Sequence, residues 1–151
     1  MKTILVPVDF SDLTLKVVKA AIHLAKPFHS KIILMHASEE AGQVLPTGAG
    51  LDALPVPPSV EEMWSPASNE GLDRLQKMVT SVGLKATTLE LHGPAVDLIL
   101  GQAESLRVDL IVLGSHNRGL IYYLLVGSVV DNVLKRARCP VLIVPSHEGS
   151  N

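Results

Sequence analysis

The apolar positions of the chain fall into short, dense runs separated by stretches of helical spacing. Thr3-Ile4-Leu5-Val6-Pro7-Val8 is continuous rather than alternating, which predicts a strand, β1, buried on both faces of a parallel sheet. Val17, Ala21, Leu24 and Phe28 then recur at helical spacing and predict α1 from Asp12 to about Phe28, capped by Ser11 or Asp12. Lys31 to Ala37 (KIILMHA) reads as β2. Leu72, Leu75, Val79 and Val82 mark α2, and Gly83 is placed to end it. Lys85 to His92 (KATTLELH) alternates, as a strand with an exposed side does, and is β3. Gly93-Pro94 turns the chain into α3, marked by Val96, Ile99, Leu100, Ala103 and Leu106. Asp109 to Leu113 is β4, Val129, Val130, Val133, Leu134 and Ala137 give α4, and Pro140 to Pro145 (PVLIVP) is β5. The segment from Ser38 to about Pro66 is rich in Gly and Pro and has little periodicity. Loops of that length are functional or disordered, and this one is the expected lid or partner surface.

Strands alternating with helices predict an α/β fold: a single open parallel sheet of five strands, helices on both faces. Right-handed crossovers and a reversal of winding between β1 and β4 give the order 3-2-1-4-5. Ligands of such sheets bind outside the carboxyl ends of the strands at the reversal. Two turns meet there. One is Pro7-Val8-Asp9 after β1. The other begins at Gly114 after β4 and ends at Gly127-Ser128, where α4 opens. Glycines admit close backbone approach, and a helix start carries free N–H donors and partial positive charge, a combination suited to phosphate. One domain spans 1–146, and 147–151 is a polar tail.

Composition narrows the function. Hydrophobic residues make up 47% of the 151 residues and charged residues 19%, a globular balance. The net charge of −2 excludes a broad basic surface for nucleic acid. Aromatics at 3% leave little for stacking platforms. No apolar run is long enough for a membrane span, the amino terminus has no signal-peptide layout, and a single cysteine, Cys139, permits no internal disulfide. A cytoplasmic protein is the expectation. No Gly-x4-Gly-Lys-Ser/Thr loop, dinucleotide fingerprint or Gly-x-Ser-x-Gly elbow occurs. Without a visible nucleophile, general base or metal cluster, the protein is expected not to be an enzyme, with any turnover slow and incidental.

VPVDFSD after β1, LMHA ending β2, HGPAVDLIL entering α3, VLGSHNRG after β4, LLVGSVVDNVL opening α4 and CPVLIVP in β5 resemble, in that order, the universal stress protein family over nearly the whole chain. The resemblance implies an adenine nucleotide α-hydrolase-like fold. Nucleotide-binding members carry Gly-x2-Gly-x9-Gly-Ser/Thr. The corresponding positions are Gly114, Asn117, Gly127 and Ser128, with the spacing intact and Asn at the second glycine. Asn is among the residues most tolerant of positive φ. The resemblance implies that Gly114, His116, Asn117, Gly127, Ser128 and Val129 surround phosphates and ribose, His116 and Val129 by position more than by side chain. It gives Leu113 and Ala37 backbone contacts to adenine, lets Pro7 and Val8 line the base pocket, and makes Asp9 the acceptor for ribose hydroxyls. Read locally, Asp9 is instead a turn aspartate bonding nearby backbone N–H groups. The implied ligand is ATP, AMP or ADP, with Mg2+ as a companion ion, and the implied role is a sensor or regulator in stress response with a protein partner still to be identified. The alternative, favoured by Asn117, is a same-fold interaction module that binds no nucleotide.

The remaining chemistry-bearing residues have plainer readings. Lys135, Arg136 and Arg138 complement the end of α4, His36 is a satisfied core residue, Cys139 is a small buried one, and Arg118 is a solvated loop residue or a phosphate contact. Tyr122 and Tyr123 pack or face a partner. The edge β3 carries Lys85 and Glu90, which discourage pairing, whereas β5 is apolar through Val141, Leu142, Ile143 and Val144. An exposed apolar edge invites pairing, and a homodimer through β5 is expected.

Overall fold

The computed structural model describes residues 1–38, 66–116 and 128–146. Five parallel strands form one sheet in the order β3-β2-β1-β4-β5. They are β1 (Thr3–Pro7), β2 (Lys31–Ser38), β3 (Ala86–His92), β4 (Leu110–Ser115) and β5 (Val141–Pro145). The helices are α1 (Thr14–Ala25), α2 (Pro66–Thr80), α3 (Ala95–Ser105) and α4 (Val129–Arg136). The expected order, direction and helix placement are those of the structure. Most of the Ser38–Pro66 segment, the 147–151 tail, Asn117, Arg118, Tyr122, Tyr123 and Gly127 lie outside the described residues.

Two cores flank the sheet. Ile4, Val6, Ile32 and Leu34 point toward α1 and α2, packing with Val17, Val18, Leu72, Leu75 and Val79. Leu5, Ile33, Met35, Ile111 and Leu113 point the other way, onto Ile99 of α3 and Val133 of α4. Strand side chains alternate faces, so a central strand covered on both sides must be apolar at every position. That is why β1 reads as a continuous run.

The sheet is not uniform across its middle. The β1–β2 register runs through all of β1, from Thr3 opposite Lys31 to Pro7 opposite Met35, and Val8 N still bonds Met35 O at 2.8 Å. The β1–β4 register covers only Ile4 with Leu110 and Leu5 with Ile111. Beyond that β4 follows β5 as far as Ser115 opposite Pro145, and Ser146 N bonds Ser115 O at 3.0 Å. At their amino ends the central strands are fastened by Asp109, whose Oδ2 accepts from Lys2 N at 2.7 Å and Thr3 N at 2.8 Å. These backbone N–H groups hold the Asp109 carboxyl below the ordinary carboxylate range. Joined at one end and parted at the other, β1 and β4 leave a crevice at their carboxyl ends.

Several local expectations change. Neither Ser11 nor Asp12 caps α1. The helix starts at Thr14, and no side-chain bond caps Leu13 before it. Asp9 organises that turn instead, as described below. The carboxyl end of α1 is also earlier than Phe28. Pro27 lacks an N–H for continued α-helical bonding, so Lys26–Phe28 tighten into a 3₁₀ turn, closed by His29 at φ 49°, and Phe28 is 59% exposed rather than packed. Val82 likewise falls past the end of α2 and Leu106 past the end of α3, both exposed, and Leu134 lies on the exposed side of α4, while Gly83 closes the turn after α2 as expected, at φ 82°.

Gly114 has a packing reason beyond ligand access. A Cβ there would lie 2.8 Å from Leu13 Cδ2 and 3.0 Å from Val17 Cγ2, so the absent side chain lets α1 settle against β4. Gly114→Ala should therefore overpack this contact and destabilise by about 1–3 kcal/mol, a Tm fall of several degrees on thermal melting. In a Leu13→Ala background the same change should cost less, because the nearer of the two crowding methyls is gone and only Val17 Cγ2 remains. Equal costs in both backgrounds would show that the contact is not the cause.

Candidate functional site

A cavity of about 500 Å3 opens in the crevice between β1 and β4. Pro7, Val8 and Asp9 form its β1 side, and Leu113, Gly114, Ser115 and His116 its β4 side. Met35 and Ala37 of β2 and Ala95 and Ile99 of α3 close it along one face. Leu13, just before α1, and Thr14 and Val17 on it stand opposite, and Ser128, Val129 and Val130 at the start of α4 complete it. The structure thus brings together Pro7, Val8, Asp9, Ala37, Leu113, Gly114, His116, Ser128 and Val129 of the expected set. Asn117 and Gly127 lie outside the described residues.

The polar groups concentrate at the mouth. Phe10, at φ 57°, reverses the backbone directly after Asp9. Its ring rests against His36, centroids 4.7 Å apart, and fills the space above Gly71 of α2. His36 Nδ1 donates to Val8 O at 3.0 Å, so His36 is half-buried and satisfied, as expected. The reversal folds Ser11 back onto Asp9. Oδ1 of Asp9 accepts from Ser11 N at 3.0 Å, Ser11 Oγ at 2.6 Å and Thr14 Oγ1 at 3.2 Å. Oδ2 accepts from His116 Nε2 at 2.7 Å, a contact that crosses from the β1 turn to the β4 turn. The local reading of Asp9 as a turn aspartate therefore describes Oδ1, while Oδ2 faces across the crevice. Partial burial pushes the carboxyl up. The hydrogen bonds from Ser11 and His116 outweigh it and hold the pKa down at about 2. The His116 side chain is engaged, beyond the positional part that the resemblance gave it.

At the other side Ser128 is the N-cap of α4, its Oγ accepting from Asp131 N at 3.1 Å. Asp131 in that first turn is paired with Lys135 at 2.9 Å. The basic residues near the end of α4 find acids away from the cleft: Arg136 reaches Asp97 of α3 at 2.9 Å and Arg138 reaches Glu104 at 2.8 Å. Cys139 is half-buried rather than buried; that burial, together with the Asp109 charge, pushes its thiol up, which keeps it protonated. Among the described residues no group of His, Cys, Asp and Glu could hold a metal ion, and no helix is long and apolar enough to cross a membrane.

Residues 1–145 match the universal stress protein family. The chain belongs to that family. Universal stress protein MJ0531 of Methanocaldococcus jannaschii is 33% identical over 143 residues, which is 95% of this chain and 81% of the relative. Among solved structures, hypothetical protein MJ0577 of the same organism superposes with a TM-score of 0.74 at 26% identity, covering 99% of this chain and 98% of that one. A universal stress protein in complex with cAMP superposes with a TM-score of 0.71 at 23% identity, covering 97% of this chain and 98% of that one.

In this universal stress protein several cleft residues carry little sequence signal. Ser11 and Thr14 read as ordinary helix-start residues, although the Asp-x-Ser spacing is an Asx-turn pattern. Ala95 and Ile99 are spaced one helical turn apart at the start of α3 and differ in no visible way from core positions. The Asp9 turn makes a pH prediction. Because its folded pKa is depressed, the carboxylate contributes stability above the unfolded value of 3.8 and loses it as pH falls toward 2. The Asp9 carboxyl resonance should titrate near pH 2 by NMR, and Ser11→Ala should move that midpoint upward. An unmoved midpoint would contradict the role given to Ser11.

Proposed function

We propose that this universal stress protein binds an adenine nucleotide (ATP, ADP or AMP) in the crevice between β1 and β4 and acts as a dimeric sensor or regulator in stress response rather than as an enzyme. The observation that carries the reading is the cleft at the sheet's reversal, apolar within and closed at its mouth by the ionised Asp9. Small-molecule sites occupy roughly 300–1,000 Å3 with a few placed polar groups. Val8, Ala37 and Leu113 suit the faces of a purine, and an acceptor-only carboxylate suits ribose hydroxyls. The start of α4 offers main-chain donors and the positive end of a helix dipole to phosphate. No Lys or Arg is among the described residues lining the cleft, so Mg2+ would arrive on the phosphates and help neutralise them. The relative solved with cAMP supports an adenine-bearing ligand. A carboxyl held near 2 is a poor general base at neutral pH, which supports binding without rapid turnover.

The dimer part of the proposal rests on β5, the last strand of the sheet, with no strand on its outer side among the described residues. Leu142 is exposed, whereas Val144 is already buried against the α1 face of its own chain. A second copy would therefore be held by main-chain pairing and by Leu142 with its half-buried neighbours Val141 and Ile143.

Denaturing the purified protein should release an adenine nucleotide identifiable by mass. ATP at about 100 times its Kd should stabilise by about 2.7 kcal/mol, a Tm rise of roughly 5–10 °C. Asp9→Ala should weaken binding by about tenfold or more. No released nucleotide and no thermal shift would contradict this reading and favour a nucleotide-free interaction module. Separately, Ile143→Lys should elute as a monomer from a sizing column where the wild type elutes as a dimer. A dimer in both would place the interface elsewhere.

A further inference from the structure

The acceptor capacity of Asp9 is nearly used up within the protein: Oδ1 is saturated, and Oδ2 already holds one donor. An ionised carboxylate offers about four acceptor sites over its two oxygens. Oδ1 receives Ser11 N, Ser11 Oγ and Thr14 Oγ1, and Oδ2 receives His116 Nε2. Ser11 Oγ also lies 3.3 Å from His116 Nε2. Since Asp9 is ionised and can only accept, the hydrogen between it and the ring belongs to Nε2, and Ser11 directs its own proton to Oδ1. One acceptor site remains on Oδ2, so a sugar that brings both of its vicinal hydroxyls to this carboxylate must displace one of these donors.

They are not equally easy to displace. The donors on Oδ1 come from the turn itself and from the first residue of α1, and removing them would undo the Phe10 reversal. His116 comes from the opposite wall, at the end of β4, and its side chain is 56% exposed. It can rotate away without moving a strand. Asp9 and His116 are also the only titratable side chains among the described residues lining the cleft, so no other charged side chain of the lining substitutes for either.

We infer that the His116–Asp9 bond is a clasp across the mouth of the cleft, which the ribose of a nucleotide opens by taking the place of the imidazole on Oδ2. His116 is thus an affinity- and specificity-determining residue that competes with the ligand's sugar hydroxyls. The inference rests on the nucleotide reading above. It makes an unusual demand: deleting a side chain that lines the site should tighten binding, and only for ligands with sugar hydroxyls.

The test is calorimetric titration of wild type and His116→Leu with ATP and with 2′,3′-dideoxy-ATP. ATP affinity should rise about two- to tenfold in the variant, the range of one net hydrogen bond. Dideoxy-ATP affinity should change by less than about twofold. An ATP affinity that is unchanged or weaker, or an equal gain for both nucleotides, overturns the clasp while leaving the nucleotide site standing. Absence of binding by either protein to either nucleotide overturns the nucleotide reading and the clasp with it. A second measurement needs no variant: the ring nitrogen resonances of His116 in wild type should move on adding ATP and stay in place with dideoxy-ATP. Equal movement with both overturns the competition.

Discussion

The parting of β1 from β4 is the constraint on which the rest of the structure depends. The two strands are paired only at Ile4–Leu110 and Leu5–Ile111, and Asp109 fastens their amino ends. Past that point each strand follows its outer neighbour. The helices that leave these strands go to opposite faces, as the two cores show, so nothing regular fills the wedge between the carboxyl ends. Gly114 lets α1 approach β4 closely without closing the wedge. A cavity in this position follows from the topology of a doubly wound sheet. Its lining follows from the side chains that the strand ends and helix starts place there.

The second determinant is the turn that aims Asp9. A left-handed backbone at Phe10 costs about 1–2 kcal/mol for a residue with a side chain. Packing of the ring between His36 and Gly71 offsets this cost. The reversal brings Ser11 N and Oγ onto one carboxylate oxygen and leaves the other toward the crevice. Local turn chemistry and site chemistry are therefore two sides of one carboxylate, and the hydrogen bonds that shape the turn also hold its pKa below the ordinary carboxylate value. His116 links this turn to the β4 side, its Nε2 bonding Asp9 Oδ2 with Ser11 Oγ 3.3 Å away.

The strand and helix pattern was legible because both faces of the central sheet are covered, which makes β1 and β2 dense apolar runs and the helices clearly periodic; β5 is equally apolar although Leu142 is exposed. The cleft was legible in its backbone positions, Pro7 to Asp9 and Leu113 to His116, because clefts of such sheets lie at strand ends. Side-chain pairing was not. Nothing in the spacing of Asp9 and His116, 107 residues apart, announces that they touch. Nor does the sequence distinguish a glycine needed for close helix packing from one needed for a ligand, and Gly114 serves the first purpose whatever it does for the second. The ends of α1 were misplaced for local reasons: a turn organised by Asp9 rather than by a conventional cap, and Pro27 diverting the chain into a tighter turn before Phe28.

The central claim is that an adenine nucleotide occupies the wedge where β1 and β4 separate. The most direct measurement is a backbone amide NMR titration of the protein with ATP and Mg2+. The account predicts that the largest shifts map to Val8–Thr14, Leu113–His116 and Ser128–Val130, converging on one crevice from three separate parts of the chain. Shifts confined to one of these segments, shifts on the outer edge of β5 instead, or no shifts at saturating nucleotide would contradict it.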